Sequence, residues 1–144
     1  MSDGKVFKAT REIAAKLDSE EIKYSILTGN DSSTVQVKYS GDNFSTLEIL
    51  FISRDDDNDV AVRAWGFVSG IAKEKRDKMI GVVNAMNDRF RYVKFVLDDD
   101  DDLNLTYDIP MTVTNVGEVA REIISRFVNI ADEAYPEFMK ALWA

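Results

Sequence analysis

Two stretches of this chain alternate apolar and polar residues on either side of an aspartate cluster. They read STLEILFISRDDDNDVAVRAWGFV (45–68) and RFRYVKFVLDDDDDLNLTYDIP (89–110). A period of two sends successive side chains to opposite faces of a strand, while Asp and Asn favour turns by bonding nearby backbone groups. Each stretch therefore reads as a β-hairpin, with strands at 46–53 and 60–68 in the first and 93–97 and 103–107 in the second. Short loops between adjacent strands commit the chain to antiparallel pairing. The strands are also apolar on both faces. Leu47, Ile49 and Phe51 oppose Leu50 and Ile52, and Trp65 and Phe67 oppose Val60 and Val62. An antiparallel sheet needs only one covered face, so the second must be hidden by the terminal helix or by a second subunit.

The rest of the chain supplies helices. Val6, Thr10, Ile13 and Leu17, flanked by Phe7 and Ala14, form an apolar stripe that predicts a helix over 4–19. After it, TVQVKY (34–39) alternates between the turn-rich stretches GNDSS and SGDN. Residues 72–90 repeat at helical spacing through Ala72, Arg76, Met79, Val83, Met86 and Phe90. A long last helix begins near 116, with Asn115 and Glu118 suited to a capping box, and Pro136 is expected to kink or restart it. The order is helix, three to four antiparallel strands, helix, β-hairpin, long C-terminal helix. That is an α+β chain whose 144 residues fit a single domain, 1–144.

Composition removes several activities. There is no histidine and no cysteine, so a His-based triad, the usual zinc sites and disulfides are all excluded. No apolar run approaches the roughly 20 residues that span a bilayer, and the charged start has no leader-like apolar core. A cytoplasmic protein is expected. The net charge of −8 opposes nucleic acid and anionic membranes as partners. Nine aspartates, Asp55, Asp56, Asp57, Asp59 and Asp98 to Asp102, carry all of that excess, since the remainder holds 17 acids against 18 bases.

Those aspartates echo the opening of an EF-hand loop at Asp55, Asp57, Asp59 and at Asp98, Asp100, Asp102. The loop also needs Gly at its sixth position and Glu at its twelfth. Here those positions hold Val60 and Gly66 in one cluster and Leu103 and Ile109 in the other. Solvated turns are the better reading, and no metal, cofactor or catalytic residue is assigned. No phosphate-cradling or nucleophile motif is present either. Lys73, Lys75, Arg76 and Lys78 interleave with Glu74 and Asp77, which predicts local ion pairs on a solvated helix face. Lys94 and Asp108 are expected to pair across their strands. The ending EAYPEFMKALWA places Tyr135, Phe138, Met139, Leu142 and Trp143 at a terminus, where docking onto the sheet or contact with a partner would hide them.

Three segments, FSTLEILFISRDDDNDVAVRAWGFV, VVNAMNDRFRYVKFVLDDDDDLNL and ADEAYPEFMKALW, resemble the YbjN-domain family of bacterial proteins. The echoes are Asn84 and Asn87, YVKF at 92–95 and AYPEFMKALW at 134–143, and the likeness runs from about residue 8 to the end. The resemblance implies a fold like that of type III secretion chaperones: helix, three strands, helix, two strands, helix. Chaperones of that fold are small, acidic, usually dimeric, noncatalytic binders of client segments, and YbjN-domain proteins carry a provisional description as sensory-transduction regulators. The resemblance brings no catalytic or ligand motif with it. The expected function is thus a noncatalytic chaperone-like or regulatory module that binds a protein partner and forms a homodimer. Trp65, Phe67, Phe138, Leu142 and Trp143 are the candidate partner-binding residues. A small-ligand or cation-binding domain using the acidic loops is the alternative, with an enzyme behind it.

Overall fold

The computed structural model describes residues 4–144; the first three positions of the charged amino-terminal stretch lie outside it. Helix α1 (Lys8–Ser19) is followed by β1 (Ser25–Thr28), β2 (Ser33–Tyr39), β3 (Leu47–Ser53) and β4 (Val60–Val68). A short 3-10 turn (Lys73–Lys75) then leads into α2 (Arg76–Arg89), β5 (Lys94–Leu97), β6 (Leu103–Ile109) and α3 (Val116–Trp143). The α+β class holds. Six antiparallel strands form one sheet in the order β1-β2-β3-β4-β6-β5. Four strands precede α2, and the one that alternation did not locate is Ser25–Thr28, which pairs with β2 although SILT carries no clear alternation. Residues 4–7 do not join the first helix, since Phe7 is still extended at ψ 163°.

Inward residues form one core. Val35, Val37, Ile49, Phe51, Val60, Val62, Leu103 and Leu105 pack against Ile13 and Leu17 of α1, Met79 of α2, and Ile123, Phe127 and Phe138 of α3. Burial alternates along β3, with Leu47, Ile49 and Phe51 enclosed and Glu48, Leu50 and Ile52 not. The helices thus cover one face, and α3 does not wrap the other.

A glycine alters that alternation in β4. Gly66 has φ +65°, a left-handed backbone that side chains resist, and the β4–β6 register shifts between Ala64 and Val68. Asn104 Oδ1 accepts the Gly66 N–H at 2.8 Å. Beyond this bulge Phe67 turns inward, with its ring 5.7 Å from Phe44 and 5.5 Å from Tyr135. Trp65 stays outward, so the two residues expected to share a face do not.

Pro136 neither ends nor restarts α3, which runs unbroken through it. A proline in a helix leaves the carbonyl four residues earlier without its donor. That residue is Asp132, and Asn43 Nδ2 donates to its carbonyl at 3.1 Å, while Asp132 Oδ1 accepts the Asn43 N–H at 2.7 Å. The β2–β3 loop therefore repairs the helix. Replacing Asn43 by alanine is expected to cost about 1 kcal/mol. The cost should fall in a Pro136→Ala background, where the helix supplies its own donor; equal costs in both backgrounds of a denaturation cycle would refute the link.

Two further expectations fail locally. Asn115 makes no side-chain cap, and Glu118 instead bonds Lys16 of α1 at 2.9 Å. Interhelical pairing has taken the carboxylate that a capping box would use. Lys94 sits opposite Thr106 rather than touching Asp108, and its Nζ donates to the carbonyls of Asn87 and Phe90 at 2.8 and 2.9 Å. The last carbonyls of α2 offer this cation a nearer partner. Asp108 pairs with Arg63 at 2.8 Å.

Candidate functional site: the uncovered sheet face

The candidate partner-binding residues scatter. Phe138 is fully buried, with its ring 5.0 Å from that of Phe95, and Leu142 is half-buried against the core. Phe67 lies in the aromatic cluster described above. Trp143 is 84% exposed, which corrects the expectation that it docks. It follows Leu142 directly, about 100° further round the helix, and that rotation carries it off the packed side. Trp65, 56% exposed, is the one member of the set on the outer face of the sheet.

The surroundings of Trp65 are what the sequence reading left out of its set. Leu50 pairs with Arg63 and Ile52 with Ala61 across β3 and β4, so all four share the outer face with Trp65. Leu27 and Val96 extend that face toward the two edges and are exposed. The signal was available, because Leu50 and Ile52 break the polar half of their strand's alternation.

The face ends in an acidic notch of about 250 Å³ lined by Ile52, Arg54, Asp55, Asp59, Ala61 and Asp108. Among the described residues Asp55 and Asp59 have no ion-pair partner. The middle of the same loop turns away. Asp56 accepts the Lys8 N–H at 3.1 Å and Lys5 Nζ at 2.7 Å, capping α1 from outside the helix because Phe7 cannot. The Lys5 ammonium, then the Lys8 amide, hold the Asp56 carboxyl below the usual carboxylate range.

The second acidic loop is also built from its own charges. Asp98 accepts the backbone N–H groups of Asp100 and Asp102 at 2.9 and 3.0 Å and Asn104 Nδ2 at 2.8 Å. Asp102 accepts the Gly70 N–H at 3.1 Å. Asp101 is clamped by Arg76 at 2.8 Å and Lys73 at 3.3 Å. The basic cluster thus engages the loop rather than its neighbours Glu74 and Asp77, while Lys75 and Lys78 donate to the Ala144 carbonyl. Among the described residues no group of three or more His, Cys, Asp or Glu is placed to hold a metal ion.

These contacts give the loop a pH dependence. Asn104 and the Asp102 amide lower the Asp98 pKa, and Arg76 and Lys73 lower that of Asp101. A carboxylate with a depressed folded pKa stabilises the fold above its unfolded pKa and ceases to as pH falls through the folded value. Asp98→Ala is expected to lower the melting temperature at pH 7 and to flatten the acid side of the stability curve. Asp99→Asn with Asp100→Asn should leave melting unchanged or slightly raised, by relief of repulsion. Equal losses from both changes would mean that the loop is not organised by Asp98.

A broader hollow of about 440 Å³ lies between the end of α1 and α3, lined in part by Glu20, Glu118, Arg121 and Glu122. Its charges are engaged: Lys16 bonds Glu20 and Glu118, Arg121 bonds Glu20, and Arg126 bonds Glu122. The outer sheet face, by contrast, offers both apolar area and carboxylates outside any ion pair.

No helix among the described residues is long and apolar enough to cross a membrane. No curated protein and no solved structure matches the chain, so neither comparison bears out the implied likeness to type III secretion chaperones. One family model covers residues 11–142, nearly the whole chain, and its description is "putative bacterial sensory transduction regulator". By that match, the chain belongs to the YbjN family.

Proposed function

We propose that this protein is a noncatalytic regulatory module, acting in the cytoplasm, that binds a protein partner through the outer face of its sheet. The observation that carries the reading is Leu50, Ile52 and Trp65 lying on a face that none of the three helices covers. Apolar side chains left on an open sheet face and rimmed by charged residues are characteristic of interaction sites. Family membership supports a regulatory role. The competing ligand-binding reading depends on the acidic loops, but Asp56, Asp98, Asp101 and Asp102 are already occupied in holding those loops in shape.

A second copy of the chain is the other protein that can hide the face, as the two-sided apolar strands suggest. Site-specific photo-cross-linking in the native cell tests the reading. A cross-linker at Leu50 is expected to give a discrete protein adduct that Trp65→Glu removes, while the same group at Glu133, exposed on α3, gives none. Identical adducts from both positions, or none from Leu50, would sink the assignment of this face.

A further inference from the structure

We infer that the occupant of this face is an amphipathic α-helix of a partner protein, carrying its basic residues at the end that meets the Asp55–Asp59 notch. The inference rests on the interaction reading above and specifies the partner's chemistry.

Shape selects a helix. Six strands at about 4.8 Å spacing make a face roughly 24 Å across, ample for a helix of about 10–12 Å diameter. The β3 and β4 backbones at the centre of the face are already paired on both sides. An extended segment laid over them would bury its own N–H and C=O groups without partners, whereas a helix satisfies its own.

Charge selects the partner and its direction. Asp55, Asp59 and Asp108 line the notch against Arg54, with Arg63 paired to Asp108 from the side. A second copy has few free cations for this notch. On its outer face Lys38 is paired with Glu48, Arg63 with Asp108, and Lys94 with two carbonyls, which leaves Lys23 and Arg54 outside the ion pairs among the described residues. Two chains of net charge −8 also repel each other. A basic partner is drawn to the same site.

Spacing makes the requirement specific. The strand rise of about 3.3 Å puts Trp65 roughly 13 Å from Ala61, beside the notch. On a helix, residues seven and eleven apart share a face at about 10.5 and 16.5 Å, and a long Lys or Arg stem spans the difference. An apolar anchor over Trp65 therefore has its basic residue seven or eleven positions away. The basic residue lies on the N-terminal side, because the positive end of the helix dipole then faces the carboxylates.

Titration calorimetry with synthetic helical peptides of about 20 residues tests this. The first probe carries a leucine stripe with two lysines seven and eleven positions N-terminal to the anchor; the second has glutamates in their place. The lysine probe is expected to bind wild type roughly tenfold more tightly than the glutamate probe, and to weaken at about 0.5 M salt. Asp55→Asn with Asp59→Asn should erase the difference between the probes. The side-chain amide introduced at position 55 keeps a carbonyl oxygen to accept the Asp57 N–H that Asp55 bonds now, so the loop is retained. Equal binding of both probes, or a preference that survives the double change, would overturn the inference while leaving a Leu50 cross-link intact. Absence of probe binding would also overturn it. In that case, sedimentation equilibrium showing a dimer abolished by Leu50→Glu would give the face to a second copy.

Discussion

Replacing Phe138 by alanine is expected to destabilise the protein by about 3–5 kcal/mol, a large share of a domain's net stability. The ring is fully enclosed and meets Phe95 at 5.0 Å, so its removal opens a cavity between α3 and the sheet. Trp143→Ala removes a larger side chain from the same helix, but one that is 84% exposed, and should stay within about 0.5 kcal/mol. Deletion of residues 136–144 should aggregate or partly unfold the chain, through the loss of Phe138 and of the half-buried Met139 and Leu142 rather than of Trp143. Urea denaturation of the two point variants separates these contributions. Equal losses from both would mean that the last turn docks after all.

The second large effect is expected at Asn87. Its side-chain amide accepts the Phe95 N–H at 2.7 Å and donates to the Phe95 carbonyl at 3.0 Å, pairing the outer edge of β5 as a further strand would. Asn87→Ala leaves both groups without partners at a partly buried site, which costs about 1–3 kcal/mol. It also exposes an edge that can recruit another strand, so a rise in aggregation should accompany the loss. Hydrogen exchange is the direct check. The Phe95 amide should exchange much faster in the variant, and unchanged protection there would show that something other than Asn87 covers the edge.

The pH dependence expected of Asp98, the repair of Pro136 by Asn43 and the capping of α1 by Asp56 belong to one pattern. In each, a polar side chain from a loop supplies a partner that the backbone nearby lacks. Asp56 reaches across 48 positions to Lys8, and Asn43 across 89 to Asp132. Nothing in local periodicity announces such contacts.

The sequence by itself determined the elements and their class. Period-two alternation located β2, β3, β4, β5 and β6, and helical spacing located the three helices, because burial on one side imposes a repeat that any window of the chain displays. It also determined that the aspartate runs are turns, since the flanking strands leave them no other place. Tertiary structure alone decided the rest. SILT became β1 because β2 presented an open edge, not because its own pattern demands a strand. Phe67 left the face of Trp65 because Gly66 adopted φ +65° with Asn104 holding its N–H, a contact across 38 positions. The uncovered face likewise could not be read from α3's pattern: an amphipathic stripe shows that a helix packs, but not on which side of a two-sided sheet. All three helices share one core, and that choice leaves Leu50, Ile52 and Trp65 open beside the carboxylates of Asp55 and Asp59.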